Sequence, residues 1–224
     1  MSEPLLELDA VTKSFTAPGR TLEILKGLKF RLRPGETVAI QGPSGSGKST
    51  LLGLMAGLER PTSGRLLFKG TPIQDWTEDQ LSQWRRSSVG FVFQNFRLID
   101  SLTALENVRL PLEIADVAPD AVRTRAAAAL EQLGLSDRAD HFPDKLSGGE
   151  QQRVAIARAY AHEPDIIFAD EPTGSLDRET AGTVLDSLLS VNEAHGTALV
   201  LVTHDPTVAA RMSRTLTLER GLLA

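Results

Sequence analysis

The chain has 224 residues, of which 41% are hydrophobic and 24% charged, and its formal net charge is −5. It contains no cysteine, which excludes disulfides, thiolate zinc sites, iron–sulfur clusters and cysteine nucleophiles. The acidic balance argues against direct nucleic-acid binding, because contacts to phosphates need a positive field. No apolar stretch approaches the ~20 residues needed to cross a bilayer, and residues 1–4 lack the basic-then-apolar pattern of a signal peptide. We therefore expect an intracellular chain that reaches a membrane only through a partner.

The first part of the chain has the residue alternation of strands. Apolar and charged residues alternate over 6–10 and again over 30–33, which is typical of strands with one buried face. Pro18-Gly19 lies between these two segments and predicts a turn.

The following elements alternate between strand and helix. In chain order we expect a strand at 37–40, a helix at 49–58, a strand at 89–93, a mostly helical segment at 97–161, a strand at 166–169, a helix at 178–193 and a strand at 198–202. Within the helical segment, Asp120 is expected to cap a helix that Gly134 ends. Such apolar strands suit a parallel sheet covered on both faces. The sequence thus predicts an α/β core over 1–94 and 161–224, with a helical insertion over 95–160.

A phosphate-binding loop is predicted at 42–50, where the chain fits the pattern G-x-x-x-x-G-K-[ST]. The loop consists of Gly42, Pro43, Ser44, Gly45, Ser46, Gly47, Lys48, Ser49 and Thr50. Its glycines let backbone N–H groups turn toward phosphate oxygens, and the helix that follows adds the positive end of its dipole. Lys48 can reach the β and γ phosphates and the Ser49 hydroxyl can ligate Mg²⁺. We expect a nucleoside triphosphate with Mg²⁺ as the ligand; a flexible Gly/Ser loop is the alternative.

Two acids, Asp170 and Glu171, end the apolar strand at 166–169. The carboxyl ends of parallel strands are where α/β sheets bind ligands. Adjacent strand residues point to opposite faces, so the two acids have different roles unless the chain turns there, which Pro172 favours. Asp170 is suited to Mg²⁺ through water, and Glu171 is suited to polarise an attacking water. Taken alone, the pair is also compatible with a solvent-facing strand end.

A second helix start suited to phosphate lies at Ser147, Gly148 and Gly149. Ser147 is a plausible N-cap, and the glycines leave the backbone N–H groups open to an anion. The chain has two such helix starts but one lysine-bearing loop and one carboxylate pair. This favours two half-sites that a second chain completes, although the segment by itself also fits an ordinary capped helix.

The segment 146–153 resembles the signature motif of ABC-type ATPases, and the other motifs of that family occur in the expected order. The resemblance implies that Phe15 stacks on adenine and that His204 is the switch histidine that contacts the γ-phosphate. It also implies that Gln94 is the Q-loop glutamine, which contacts Mg²⁺ or water and links to the transport partner. Ser175-Leu176-Asp177 resembles the D-loop.

Segments 89–94, 104–108 and 169–174 are similar to the lipoprotein-release, macrolide-export and cell-division branch of this family. Within it the sequence is most similar to YbbA-type subunits and next to LolD-type subunits. Two residues depart from the branch. Ser175 stands where Asn is usual, and Phe15 stands where Tyr is frequent, which keeps the stacking face and loses a hydroxyl.

The resemblance implies a single ABC ATPase domain over 1–224, with a P-loop NTPase (RecA-like) core sheet, an N-terminal antiparallel β subdomain and a helical insertion. It implies a homodimer around two ATP, coupled to an integral membrane permease on a separate chain at the cytoplasmic face of the inner membrane, in export or lipid- and lipoprotein-related transport. The resemblance assigns catalytic roles to Lys48, Glu171 and His204. It assigns metal contacts to Ser49, Gln94 and Asp170. The residues that it implies contact the nucleotide are Phe15, the loop 42–50, Gln94, Ser147, Gly148, Gly149 and Asp177.

Two other functions are compatible with a phosphate loop but have less support in the rest of the sequence. A soluble ABC ATPase that acts on nucleic acid or ribosomes predicts a tandem second cassette, a long coiled-coil insertion or a basic face, none of which is evident in the sequence. A P-loop kinase has no use for the signature helix or for the histidine at 204, and it needs an acceptor pocket that no motif supplies.

Overall fold

The computed structural model describes residues 3–17 and 19–224. The chain forms two compact units, one of Met1–Arg85 with Ala198–Ala224 and one of Arg86–Thr197. Gly19 lies in a turn, whereas Pro18 of the predicted Pro18-Gly19 turn is outside the described residues. The division into a core and an insertion over 95–160 stays a prediction.

Ten strands and seven α-helices are seen in the described part of the chain. In chain order they are β1 (Leu6–Ala17), β2 (Arg20–Leu32), β3 (Thr37–Gln41), α1 (Lys48–Met55), β4 (Ser63–Phe68), β5 (Thr71–Pro72), α2 (Glu78–Ser88), β6 (Val89–Phe93), α3 (Ala104–Ile114), α4 (Pro119–Gln132), α5 (Gly148–Tyr160), β7 (Ile166–Asp170), α6 (Arg178–His195), β8 (Ala198–Val202), α7 (Pro206–Ala209), β9 (Arg214–Glu219) and β10 (Leu222–Leu223). Among these residues, no helix combines the length and the apolar character that a membrane span requires.

The first unit contains an antiparallel sheet with the strand order β2-β1-β4-β5. The predicted one-sided burial is confirmed at Leu6, Leu8 and Leu32, which are each at most 1% exposed, but it was wrong at Ala10, which is exposed. The pairing of β1 with β2 shifts register between Leu8 and Val11, where Ala10 takes a φ of 52°. This irregularity is a bulge, which bends the strand locally.

The same unit contains strands in the order β10-β9-β3-β8, and β3 pairs in parallel with both β8 and β9. All five residues of β8 are buried, as are Val38, Ala39 and Ile40 of β3. Ile40 pairs with Val202, so β3 and β8 end at the same edge of the sheet. The strands predicted at 37–40 and 198–202 are confirmed, and the glycine-rich loop leaves this edge.

The second unit is built on the parallel pair β6 and β7, with α5 packed on β6. Gly90 permits this packing, because a Cβ at that position would collide with the carbonyl oxygen of Ala159. Buried Asn107 fixes the loop before α3, since its side chain donates to the carbonyls of Ile99, Leu102 and Thr103.

Two expectations at helix ends were wrong. Ala118 is the N-cap of α4 and Pro119 its first residue, so Asp120 lies inside the first turn instead of capping the helix. Proline suits that first position because its fixed φ is helical and the N–H it lacks would have no acceptor there. The helix expected to reach residue 58 ends at Met55, because Gly57 takes a left-handed φ of 64°. Gly134, with a φ of 68°, follows α4 as predicted.

Candidate nucleotide-binding and hydrolysis site

The glycine-rich loop at 42–50 leaves β3 and enters α1, in the order the sequence predicts. Gly47 is the N-cap of α1 with a φ of 100°, a left-handed value that favours glycine. A Cβ on Gly47 would lie 2.8 Å from Cγ2 of Ile24, and a Cβ on Gly42 would collide with the carbonyl oxygen of Leu218. The loop therefore needs glycine both for its backbone conformation and for its close approach to neighbouring strands.

The Lys48 ammonium is held over the loop that precedes it. Its Nζ donates to the carbonyl oxygens of Gly42 at 2.9 Å and Pro43 at 3.0 Å. Ser46 is 8% exposed, and its Oγ finds no hydrogen-bond partner among the described residues. The loop thus presents a cation and an unsatisfied buried hydroxyl beside a helix N-terminus, which is a setting suited to phosphate oxygens.

His204 follows β8 at the same sheet edge from which the loop leaves. Thr203 is buried, and its N–H donates to the carbonyl of Ile40 at 3.2 Å, which ties the end of β8 to β3. His204 is exposed, and Asp205 is the N-cap of α7. Hydrogen bonds from Thr207 lower the pKa of Asp205. This arrangement places an exposed imidazole at the carboxyl end of a buried strand.

Phe15 lies on β1 in the first unit and is 46% exposed. The Nζ of Lys13 lies 4.9 Å from the centroid of its ring. The exposed ring has an apolar face of the kind that stacks on a planar base.

In the second unit the structure brings Gln94 and Glu171 together. Phe93 pairs with Asp170, so the next residue of each strand leaves the sheet at the same edge. A Cβ on Gly174 would lie 3.0 Å from Nε2 of Gln94 and 3.4 Å from Cβ of Glu171. The two predicted site residues therefore flank one glycine.

Glu171 has a left-handed φ of 47°, although it is not a glycine. Its carbonyl accepts a hydrogen bond from the N–H of Gly174 at 3.0 Å, which closes a tight turn after β7. The chain thus turns at the second acid, the case in which the alternation of strand side chains ceases to apply. A non-glycine residue in this conformation costs about 1–3 kcal/mol, and such strain is concentrated at functional sites.

Ser147 is the N-cap of α5, as predicted, and forms a capping box with Glu150. Its Oγ accepts from the N–H of Glu150 at 3.3 Å, and the Glu150 carboxylate accepts from the N–H of Ser147 at 2.8 Å. The hydrogen bond from the Ser147 backbone lowers the pKa of Glu150 to about 2, and the ion pair with Arg138 at 2.9 Å adds to this effect. The carboxylate therefore stays ionised at the helix start.

Gly149 has a packing role that the sequence did not reveal. It is buried, and a Cβ there would lie 2.5 Å from Cγ2 of Thr180 on α6. A Cβ on Gly148 would lie 3.2 Å from Cδ2 of Leu176. The two glycines thus let the start of α5 approach the segment that leads into α6, in addition to any exposure of their N–H groups.

The ABC transporter family model matches residues 25–174 of this chain. The chain belongs to the ABC transporter family. It is 48% identical to the uncharacterized ABC transporter ATP-binding protein YbbA of Escherichia coli K12, over 99% of this chain and 97% of that protein. It is 44% identical to the lipoprotein-releasing system ATP-binding protein LolD of Idiomarina loihiensis, over 100% of this chain and 98% of that protein. The predicted likeness to the YbbA and LolD types is confirmed.

Two solved structures of the ATP-binding cassette MJ0796 share the fold, each with a TM-score of 0.88 and 42% identity. Each match covers 97% of this chain and 96% of the MJ0796 chain. Both are dimeric, and one is a post-hydrolysis state bound to ADP and Pi. The P-loop NTPase fold is confirmed, and the chain is an ATPase of the ATP-binding cassette type.

In this ABC cassette the D-loop residues make contacts within the second unit. Asp177 is the N-cap of α6, and its Oδ1 accepts from the N–H groups of Glu179 and Thr180. Hydrogen bonds from Thr180 lower the pKa of Asp177. Ser175, the residue that departs from the branch pattern, donates from Oγ to the carbonyl of Gln94 at 2.8 Å. Residue spacing gave no signal of that contact, because the partners are 81 positions apart.

Proposed function

We propose that two copies of this chain bind two ATP molecules between them and drive an integral membrane permease on a separate chain. The observation that carries the proposal is the start of α5. The capping box occupies the N–H groups of Ser147 and Glu150, and the first-turn N–H groups of Gly148 and Gly149 have no acceptor inside the helix. A γ-phosphate held by the second copy is the anion that these N–H groups fit.

The same chain binds its own ATP through residues of the first unit. Adenine stacks on Phe15, and the phosphates lie on the loop 42–50. Lys48 exchanges its two loop carbonyls for phosphate oxygens, since charge-assisted contacts to phosphate are stronger than contacts to neutral carbonyls. The unsatisfied Ser46 hydroxyl supports an acceptor-rich ligand at this loop.

Mg²⁺ fits the chemistry of the predicted donors. Ser49 offers a hydroxyl, Asp170 a carboxylate and Gln94 an amide oxygen, and this hard cation prefers oxygen ligands and retains several waters. These residues would hold the ion, which when bound neutralises charge on the phosphates.

Glu171 orients the attacking water for in-line displacement at the γ-phosphate. His204 and Lys48 offset the charge that develops on the transferring phosphoryl group. Asp177 contributes to the nucleotide pocket from the D-loop. ATP binding favours the closed dimer, and hydrolysis reopens it. Each ATP cycle therefore closes and opens the dimer, and this movement drives the permease.

The permease places the chain at the cytoplasmic face of the inner membrane. Likeness to LolD, a protein named for a lipoprotein-releasing system, supports export or lipid- and lipoprotein-related transport as the task. The permease itself selects the cargo.

The Glu171→Gln variant tests the proposed division of labour. We expect it to keep ATP binding, lose turnover and accumulate an ATP-dependent dimer, because the amide cannot polarise water while the phosphate contacts remain. Light scattering after gel filtration, with and without ATP, measures the dimer. Lys48→Ala is the matched control, and it should lose both ATP binding and dimerisation. A Glu171→Gln chain that turns over normally would show that another group positions the water.

The partner is tested by affinity purification from detergent-solubilised membranes. An integral membrane protein that co-purifies in ATP-dependent amounts supports a permease. Co-purification of ribosomes or nucleic acid instead would contradict it.

A further inference from the structure

The turn that follows β6, here called the Q-turn (residues 93–97), has an unusual backbone. Phe96 and Arg97 are consecutive non-glycine residues with left-handed φ values of 53° and 50°. For L-residues this conformation costs about 1–2 kcal/mol each. It persists only where surrounding groups hold the chain in place.

Four carbonyl oxygens of the Q-turn are held by side chains from α5 and from the D-loop. Gln152 Nε2 donates to Phe93 at 3.2 Å, Ser175 Oγ to Gln94 at 2.8 Å, Arg158 Nη2 to Phe96 at 2.8 Å, and Arg158 Nη1 to Arg97. The Q-turn is therefore fixed by three side chains that lie far from it in the sequence.

Two of these side chains, Gln152 and Arg158, lie on α5, the helix that begins at the signature motif. Gln152 is fully buried, and its Nε2 also donates to the carbonyl of Pro172, the residue after Glu171. One amide thus joins the start of the Q-turn to the turn that carries Glu171. Burial lowers the pKa of Arg158, but a guanidinium stays protonated in proteins, so its two bonds are charge-assisted.

Ser175 provides the bond to Gln94, the proposed metal and water contact. Its hydroxyl binds the backbone of Gln94, whose side chain lies beside Gly174 and Glu171. Any displacement of the D-loop therefore acts on Gln94 directly. A displacement of α5 acts on the other end of the Q-turn through Arg158.

We propose that Ser175 and Arg158 are positioning residues that hold the strained Q-turn and thereby set the place of Gln94 next to Glu171. This inference rests on the proposed function, because Gln94 and Glu171 are its water- and metal-handling groups. Movement of the signature helix and of the D-loop is passed to Gln94 through these side-chain bonds.

Ser175→Ala tests the inference in the full chain, because Ser175 is exposed and its loss does not open a cavity. Hydrogen exchange of the amides over 94–99, measured by mass spectrometry without nucleotide, should quicken about three- to tenfold when one hydrogen bond is lost. Ser175→Thr keeps a hydroxyl and should restore the wild-type exchange. Ser187→Ala is the matched control, since Ser187 Oγ also donates to a carbonyl, that of Thr183, at 2.9 Å but within α6.

Turnover provides the second measurement. Ser175→Ala should lower kcat severalfold and leave the KM for ATP unchanged, because the phosphate loop is untouched; Arg158→Lys, which loses the two-pronged contact, should do the same. If the exchange over 94–99 is unchanged in Ser175→Ala, the Ser175 hydrogen bond does not stabilise the Q-turn. If exchange is faster but kcat is unchanged, the Q-turn does not position Gln94 for hydrolysis. The exchange measurement does not depend on hydrolysis, so a failure of the proposed function would appear in Glu171→Gln and not here.

Discussion

Replacement of Gly149 by alanine separates the packing role of this residue from its proposed anion-binding role. The added Cβ would lie 2.5 Å from Cγ2 of Thr180, 3.8 Å from Nη1 of Arg153 and 3.9 Å from Cγ2 of Val184. The last two distances are ordinary van der Waals contacts. The whole conflict therefore comes from one methyl group on α6.

The expected loss of stability follows from two opposing effects. Alanine in a helix is about 0.5–1 kcal/mol more favourable than glycine, whereas overpacking a buried site costs about 1–3 kcal/mol. Gly149→Ala should thus reduce the free energy of unfolding by about 1–2 kcal/mol. Thr180→Ser deletes the conflicting methyl and keeps the hydroxyl. In the double variant the substitution at Gly149 should then cost less than about 0.5 kcal/mol.

Wild type, Gly149→Ala, Thr180→Ser and the double variant form a double-mutant cycle, and urea unfolding of these four chains measures the coupling free energy between positions 149 and 180. A constant m-value checks that each chain unfolds in two states. The same four chains are assayed for ATP hydrolysis. The double variant should recover both stability and hydrolysis, because alanine keeps the N–H group at 149 and its methyl group points toward position 180 on α6. Equal stability of Gly149→Ala and wild type, or a double variant no more stable than the sum of its parts, would refute the packing argument. Recovery of stability without recovery of hydrolysis would show that the methyl group at 149 also disturbs the anion-binding start of α5.

Two further changes have defined outcomes. The pKa of Glu150 is about 2 in the folded chain against an ordinary value of 4.5, so its stabilisation is present above pH 4.5 and is lost as the pH falls toward 2. Glu150→Gln should lower stability at pH 7 by on the order of 2 kcal/mol, and denaturation curves should show the gap closing below pH 4; a gap that is the same at every pH speaks against the carboxylate. Phe15→Leu should weaken ATP binding about two- to tenfold, whereas Phe15→Tyr should preserve it, as measured by titration with a fluorescent nucleotide. Equal affinity of the two variants would show that the base does not stack on residue 15.

Short sequence patterns predicted the elements whose conformation depends mainly on neighbouring residues. Ser147, followed by two glycines, predicts a helix start, and the structure has Ser147 as the N-cap of α5 with a full capping box. The uninterrupted apolar run of β8 predicts a buried strand, and its bounds agree with the structure. The phosphate loop is predicted from local sequence because its glycines and its lysine must lie within a few positions of one another to surround a phosphate.

Contacts between distant segments were not predictable from one sequence. The tie from Ser175 to Gln94 joins positions 81 apart, and nothing in either segment indicates the other. The need for glycine at 149 depends on where Thr180 comes to lie, which only the packed helices reveal. Asp120 was misplaced because both it and Pro119 are common at helix starts, and the fixed φ of proline decided the register.

We propose that hydrolysis needs two copies of the chain, because each copy supplies the start of its α5 to the ATP bound by the other. The most direct test is the rate of ATP hydrolysis per chain as a function of protein concentration, for the wild type and for Ser147→Arg, which blocks that helix start. We expect a wild-type rate that rises with concentration to a plateau and a Ser147→Arg rate that stays near background throughout. A per-chain rate that stays at its full value after dilution to monomers, with Ser147→Arg equally active, would contradict it.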